Sequence, residues 1–154
     1  MVQPAIPITA YHAALSTSYI RAHVQQPNHR DYPEAIVLPP PALLSWLNAL
    51  DDFAKLQPNW DGDGAEPPAP SAIAGARACL YQLFEYGQQE ILHLCPGPVG
   101  EIAIDLAQGS RELNLIFYPD RSVYVFSDAT LAVPVSGTYS PDRLPILLQR
   151  LVQS

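Results

Sequence analysis

Residues 100–126 read GEIAIDLAQGSRELNLIFYPDRSVYVF, and this stretch decides the fold. Apolar residues alternate with polar or small ones in three consecutive runs, which begin near Ile102, Leu113 and Val123. The short turn sequences QGS and PDR separate the runs. Alternation with a period of two predicts strands, and turns this short join antiparallel neighbours. The stretch therefore predicts an antiparallel β-meander with one covered face.

Helical periodicity flanks the predicted meander on both sides. Residues 41–56 and a second stretch that starts at Ser71 carry apolar residues at i, i+3, i+4 and i+7. Pro41 suits a first helical turn, and Ser71 is the expected N-cap of the second helix. The last residues, RLPILLQRLVQS, predict a terminal helix with Asp142 as its N-cap. A further strand over LAVPV is confined to a sheet edge by Pro134.

These elements predict the α+β fold class. The expected architecture has two or three N-terminal helices, a three- to four-stranded antiparallel meander, and a C-terminal helix packed on one sheet face. Residues 1–38 are expected to form a peripheral arm, with a helix from Ala10 to Gln25. Residues 39–154 are expected to form a single domain, which agrees with the chain length of 154 residues.

Charge and composition narrow the functional classes. Fifteen acidic and eight basic residues give a net charge of −7. Binders of the phosphate backbone present clusters of Lys and Arg, so nucleic-acid binding is disfavoured except through mimicry of nucleic acid. No apolar run approaches the ~18 residues of a membrane span, and the first residues do not read as a signal peptide. Two cysteines give no disulfide framework, so the expected location is the cytoplasm.

Residues 58–65, PNWDGDGA, match the first half of a calcium loop. Asn59, Asp61 and Asp63 alternate as oxygen donors, and Gly64 stands where an EF-hand makes its sharp turn. The twelfth position of an EF-hand is a bidentate glutamate, but the twelfth residue counted from Asn59 is a proline. An EF-hand is therefore not expected, although weak calcium binding by these carboxylates stays open.

The same residues also predict a turn that needs no metal. The side chains of Asn59 and Asp61 can hold backbone N–H groups, and Gly62 and Gly64 are free to take positive φ. In this hypothesis Trp60 is a buried anchor for the loop. We expect these five residues to be a structural motif, with no bound cofactor.

The segment LQPNWDGDGAEPPAPSAIAGA, followed by PGPVGEIAIDL and LNLIFYPDRSVYVF, resembles a set of small bacterial and phage proteins. Their signature is Asn-Trp-Asp-Gly-x-Gly-Ala, then prolines and a helix, then a Gly-Ile strand and a β-meander. Residues 59–62, 64 and 65 match the first motif, and Gly100 with Ile102 matches the second loosely. The resemblance covers residues 45–130; it implies a fold and a phage or mobile-element association, but no particular reaction.

An aromatic cluster is the predicted contact surface. The alternation in SVYVF predicts that Val123 lies on the same face as Leu113. The aromatic side chains of Tyr118, Tyr124 and Phe126 are then expected on the opposite face. If no helix covers that face, they form an exposed patch, and Tyr and Arg are favoured at protein interfaces. The predicted partner-binding residues are Arg121, Tyr118, Tyr124, Phe126, Asp61 and Asp63.

The leading functional hypothesis is a non-enzymatic interaction module that binds another protein, as immunity proteins, antitoxins and phage-encoded inhibitors do. The sequence contains no P-loop, GxGxxG or GxSxG motif. One alternative is an enzyme that uses a divalent ion at Asp61, Asp63 and Glu66. The other is a structural or assembly subunit, for which homo-oligomers are expected.

Two further residue pairs have the chemistry of a site but a simpler explanation. His93 and Cys95 could ligate a metal, but they are expected to lie at the entry to the first strand. Glu101 and Asp105 could work as paired carboxylates, but they are expected to form the solvated face of a one-sided sheet.

Overall fold

A computed structural model describes residues 39–88 and 90–153. The predicted arm over residues 1–38 and its helix lie outside the described residues. Within the described ranges, two helices precede five strands, and a 3-10 turn leads to a terminal helix. The elements are α1 Pro41–Phe53, α2 Pro70–Glu85, β1 His93–Pro96, β2 Ile102–Gln108, β3 Arg111–Phe117, β4 Ser122–Asp128, β5 Val135–Thr138, the 3-10 turn Pro141–Arg143 and α3 Leu144–Val152.

The strands form one antiparallel sheet in the order β1-β2-β3-β4-β5. The α+β class, the antiparallel sheet and the C-terminal helix are confirmed. The sheet has five strands instead of three or four, because residues expected only to lead into the first strand form β1 themselves. This strand is four residues long and ends at Pro96, so its sequence is too short for a clear alternation. The expected edge strand over residues 131–135 is wrong in its bounds, since β5 begins only at Val135, after Pro134.

The hydrophobic core is built on one face of the sheet. Buried residues alternate along β2 and β3, and α2 and α3 contact both strands, while α1 contacts α2 and β1. Fully burying a Leu or Ile side chain contributes about 1.5–3 kcal/mol, so this layer dominates the stability. The largest fully buried side chains are Leu43, Leu50, Leu80, Leu83, Ile102, Ile104, Leu106, Leu113, Leu115, Leu144, Leu151 and Cys79.

Strand β4 faces the other way from the sequence-based expectation. Phe126 pairs with Leu113 and Tyr124 pairs with Leu115, so both aromatic rings lie on the core face, where they are 6% and 8% exposed. The expected aromatic patch is therefore wrong, and it is Val123 that lies on the opposite face. Large aromatic rings gain more from burial than valine does, and this register buries them.

Two predicted helix caps are also wrong. Helix α2 starts at Pro70 with Ala69 at the cap position, and Ser71 lies inside the helix. At the C-terminal end, Asp142 belongs to a 3-10 turn and α3 starts only at Leu144. In both places a proline in the first turn starts the helix, because its missing N–H costs nothing there. None of the helices in the described part of the chain combines the length and apolar sequence that a membrane crossing needs.

Candidate functional site

Residues 59–65 form a loop that is closed on itself. The N–H of Asn59 donates to the carbonyl oxygen of Ala65 at 2.7 Å, which joins the two ends. Three of the backbone φ angles are positive: 67° at Asn59, 84° at Gly62 and 92° at Gly64. Glycine adopts such angles freely, and asparagine tolerates them better than most residues. The residue types of the motif are therefore those that this backbone path requires.

Two side chains of the loop hold three backbone N–H groups. The Oδ1 atom of Asn59 accepts from Gly64 at 2.7 Å, and the Oδ1 atom of Asp61 accepts from Asp63 at 2.8 Å and Ala65 at 3.1 Å. These are the hydrogen bonds that the turn hypothesis expects. The two bonds from backbone N–H groups also hold the pKa of the Asp61 carboxyl below its usual value. Asp61 therefore stays charged while it organises the loop.

Trp60 differs from its expected role as a fully buried anchor. Its side chain is only partly buried and lies outside the hydrophobic core of the described residues. The indole Nε1–H donates to the carbonyl oxygen of Glu66 at 3.0 Å, which fixes the orientation of the ring. The ring is therefore held in place while part of it faces solvent.

Backbone hydrogen bonds join the residues that follow this loop to a second loop, residues 96–101. The N–H of Glu66 donates to the carbonyl oxygen of Pro98, and the N–H of Ala69 donates to that of Gly100, each at 2.9 Å. Glu66 and Val99 form a short parallel bridge. The segment that precedes α2 is thus fastened to the segment that precedes β2.

A third loop, residues 118–121, is held against the first turn of α2 and lies beside Gly100 of the second loop. The hydroxyl of Ser71 donates to the carbonyl oxygen of Pro119 at 2.8 Å. Gly100, at a φ of 83°, lies where an added Cβ would be 3.2 Å from the carbonyl oxygen of Pro67 and 3.6 Å from the Pro119 ring. A side chain there would crowd both neighbours. We call residues 58–69, 96–101 and 118–121 together the motif loops.

The motif loops present several side chains to solvent. The guanidinium of Arg121 lies 4.6 Å from the centre of the Tyr118 ring, and the Arg121 side chain is 60% exposed. Asp63 and Glu66 are exposed, and within the described residues neither carboxylate has a hydrogen bond or ion pair. The motif loops thus carry a partly exposed aromatic-cation pair and two exposed carboxylates.

Four of the six predicted partner-binding residues belong to the motif loops, and two do not. Asp61, Asp63, Tyr118 and Arg121 lie there, whereas Tyr124 and Phe126 are part of the core. The sequence also did not indicate the hydrogen bond from Ser71 to Pro119, because those residues are 48 positions apart and no sequence pattern connects them.

The remaining candidate residues are held by separate contacts. Asp105 accepts a hydrogen bond from Asn114 at 2.8 Å and lies 3.8 Å from the Nδ1 atom of His93. Glu101 instead accepts from the N–H of Val99 at 2.9 Å, so the two carboxylates do not share a partner. Among residues 39–88 and 90–153, no three or more His, Cys, Asp or Glu side chains are grouped so as to hold a metal ion.

Comparison of the chain with protein-family models, with curated proteins and with solved structures gave no match. The function proposed below rests on the geometry of the motif loops.

Substitutions at Asn59 test how the loop is held. Asn59→Ala should lower the free energy of unfolding by about 1–2 kcal/mol, because alanine disfavours positive φ and leaves the Gly64 N–H without its acceptor. Asn59→Gly keeps the backbone freedom and loses only the acceptor, so its loss should be smaller. Chemical denaturation measures the free energy of unfolding of both variants and of the wild type. Equal stabilities for Asn59→Ala and wild type would contradict the observed loop geometry.

Proposed function

We propose that this chain is a non-enzymatic protein-interaction module, which acts by binding another protein through the motif loops. One observation supports the proposal: the loops 58–69 and 96–101 are hydrogen-bonded to each other, and the loop 118–121 is hydrogen-bonded to Ser71 in the first turn of α2, which directly follows the first loop. In these loops Trp60, Asp63 and Arg121 keep side-chain area in contact with solvent.

The way the loops are fastened favours binding. Ordering a flexible loop on association costs free energy, and a loop already fixed by its own hydrogen bonds avoids most of that cost. Residues 59–65 use side-chain bonds from Asn59 and Asp61 for this purpose. The exposed groups are therefore presented in one arrangement before a partner arrives.

The residue types of the motif loops favour a protein partner. Trp, Tyr and Arg are enriched among the residues that dominate binding energy at interfaces. The motif loops contain one of each, at Trp60, Tyr118 and Arg121. The free carboxylates of Asp63 and Glu66, on a chain of net charge −7, favour a partner with a basic surface and speed its approach.

The proposed mode of action is simple occupancy. A small acidic protein that covers a basic surface of its partner blocks that surface, as immunity proteins, antitoxins and phage-encoded inhibitors do. We place this activity in the cytoplasm, where the exposed thiol of Cys95 stays reduced.

Affinity capture from a lysate of the natural host, followed by titration with the purified partner, tests the proposal. The informative variant is Asp63→Lys/Arg121→Glu, which reverses two exposed charges of the motif loops. The backbone N–H of Asp63 makes the loop hydrogen bond, so its side chain can change without opening the loop. We expect the dissociation constant to rise at least about 10-fold, which corresponds to about 1.4 kcal/mol.

The matched control is Glu90→Lys/Arg150→Glu, which makes the same charge reversals on exposed residues outside the motif loops. It should bind as wild type does. Undiminished binding by Asp63→Lys/Arg121→Glu would remove the motif loops as the contact surface, and failure of the wild type to retain any protein would contradict the interaction module itself.

A further inference from the structure

Strand β5 lies at one edge of the sheet, and β4 is its neighbour. Just after β5, the N–H of Tyr139 donates to the carbonyl oxygen of Ser122 at 2.9 Å. Hydrogen-bonded and non-hydrogen-bonded pairs alternate along an antiparallel ladder. The residues whose backbone groups face β4 are therefore Tyr139, Gly137 and Val135.

The backbone groups of Ser136 and Thr138 consequently point away from β4, toward the side of β5 on which residues 39–88 and 90–153 form no further strand. Unpaired N–H and C=O groups on a sheet edge are a template for another strand. Pro134 precedes them at the next outward position and has no N–H to offer. The available pairing segment is thus short and starts after Pro134.

The chain around this edge is exposed, apolar and uncharged. Leu131, Val133 and Val135 are 41%, 73% and 38% exposed. No charged residue lies between Asp128 and Asp142. Two copies of a chain with a net charge of −7 repel each other, and an uncharged segment lets them approach at the lowest electrostatic cost.

We infer that β5 is a self-association edge, at which two copies of this chain pair in antiparallel register about a two-fold axis. Centring the pair on Gly137 sets Ser136 of each copy opposite Thr138 of the other. About four backbone hydrogen bonds then form between the copies. At the centre the two Gly137 residues form a close, non-hydrogen-bonded pair, which the missing side chains make easy.

A second copy suits this edge better than an unrelated strand would. The pairing is isologous, so both copies use the same uncharged segment, and in the register centred on Gly137 the exposed Val135 of each copy lies opposite Tyr139 of the other. Such a contact closes after two copies and leaves no β5 edge free for a third. The short segment predicts a weak dimer, with a dissociation constant in the micromolar to millimolar range.

Sedimentation equilibrium of the full chain tests the inference. From about 10 µM to about 1 mM, the mass should rise from 16.8 kDa toward twice that value. Ser136→Lys places two like charges close together across the axis and should raise the dissociation constant at least about 10-fold. The matched control is Leu92→Lys, at an exposed residue (54%) beside the opposite edge strand β1, which should leave the dimer unchanged.

Amide hydrogen exchange of the wild-type chain provides a readout that needs no variant. The N–H groups of Ser136 and Thr138 should exchange more slowly as concentration rises, whereas the N–H of Gly137, already bonded to β4, should not change. A monomer at every concentration would overturn the inference. Equal dimerisation by Ser136→Lys, or equal loss in Leu92→Lys, would overturn the pairing through β5.

Discussion

Tyr124→Ala should lower the free energy of unfolding by about 3–5 kcal/mol. The ring lies on the core face of β4, opposite Leu115, and is 8% exposed. It also covers Gly137 on β5, where an added Cβ would be 2.9 Å from the ring. Removing the ring leaves a cavity in the hydrophobic core, and the surrounding residues can close it only in part.

Urea denaturation, with the midpoint and slope recorded separately, measures this loss. The matched control is Tyr86→Ala, since Tyr86 is an exposed aromatic residue just beyond α2 and its loss should cost less than about 1 kcal/mol. A Tyr124→Ala variant with the stability of the wild type would place the ring on the solvent face. That result would restore the aromatic patch as a contact surface.

The strands differ in how far their own sequences determine which of their two faces is buried. In β2 and β3 three successive residues of one parity are large and apolar, so the buried face of each could be predicted from the chain. Strand β4 has large apolar residues at both parities, from Val123 to Phe126. Its face is set by the register across the turn, where Phe117 pairs with Ser122, and alternation alone cannot supply that register.

The candidate site shows the same division between local and long-range causes. The side-chain hydrogen bonds of Asn59 and Asp61 span at most five residues, so the sequence motif contains the information that they need. The exposure of Trp60 depends on what packs beside it, and the contact of Ser71 with Pro119 depends on the complete fold. Neither could be predicted from local residue types.

A buried thiol and phenol make the folded state sensitive to high pH. Cys79, on α2, is 1% exposed, and burial raises the pKa of its thiol to about 12, an effect that a hydrogen bond with Tyr139 partly opposes. Burial likewise raises the pKa of the Tyr139 hydroxyl far above its usual value of 10.0, and the neighbouring Cys79 adds to that rise. The Tyr139 ring also packs edge-on against Phe117, at 5.5 Å between ring centres.

Both shifts have the same consequence for stability. In the unfolded chain the thiol loses its proton near pH 9.0, whereas in the folded chain it keeps the proton to about pH 12. The stability contributed by the neutral thiol is therefore complete below pH 9.0 and is lost as pH rises toward 12. The slope is about 1.4 kcal/mol per pH unit, so about 3 kcal/mol is lost by about pH 11.5, and Tyr139 adds to the loss above pH 10.

Urea denaturation at a series of pH values from about 7 to about 11 should show this decline in the free energy of unfolding. Cys79→Ala lowers the stability at pH 7 by leaving a small cavity, but it should flatten the decline between about pH 9 and about pH 10, because no buried thiol is left to protect from ionisation. The matched control is Cys95→Ala, which removes the exposed thiol and should keep most of the slope. A Cys79→Ala variant with the wild-type slope would show that another group causes the decline. The two effects of Cys79→Ala can thus be separated in a plot of the free energy of unfolding against pH. The cavity lowers the free energy at every pH, whereas loss of the titrating thiol changes the slope above about pH 9.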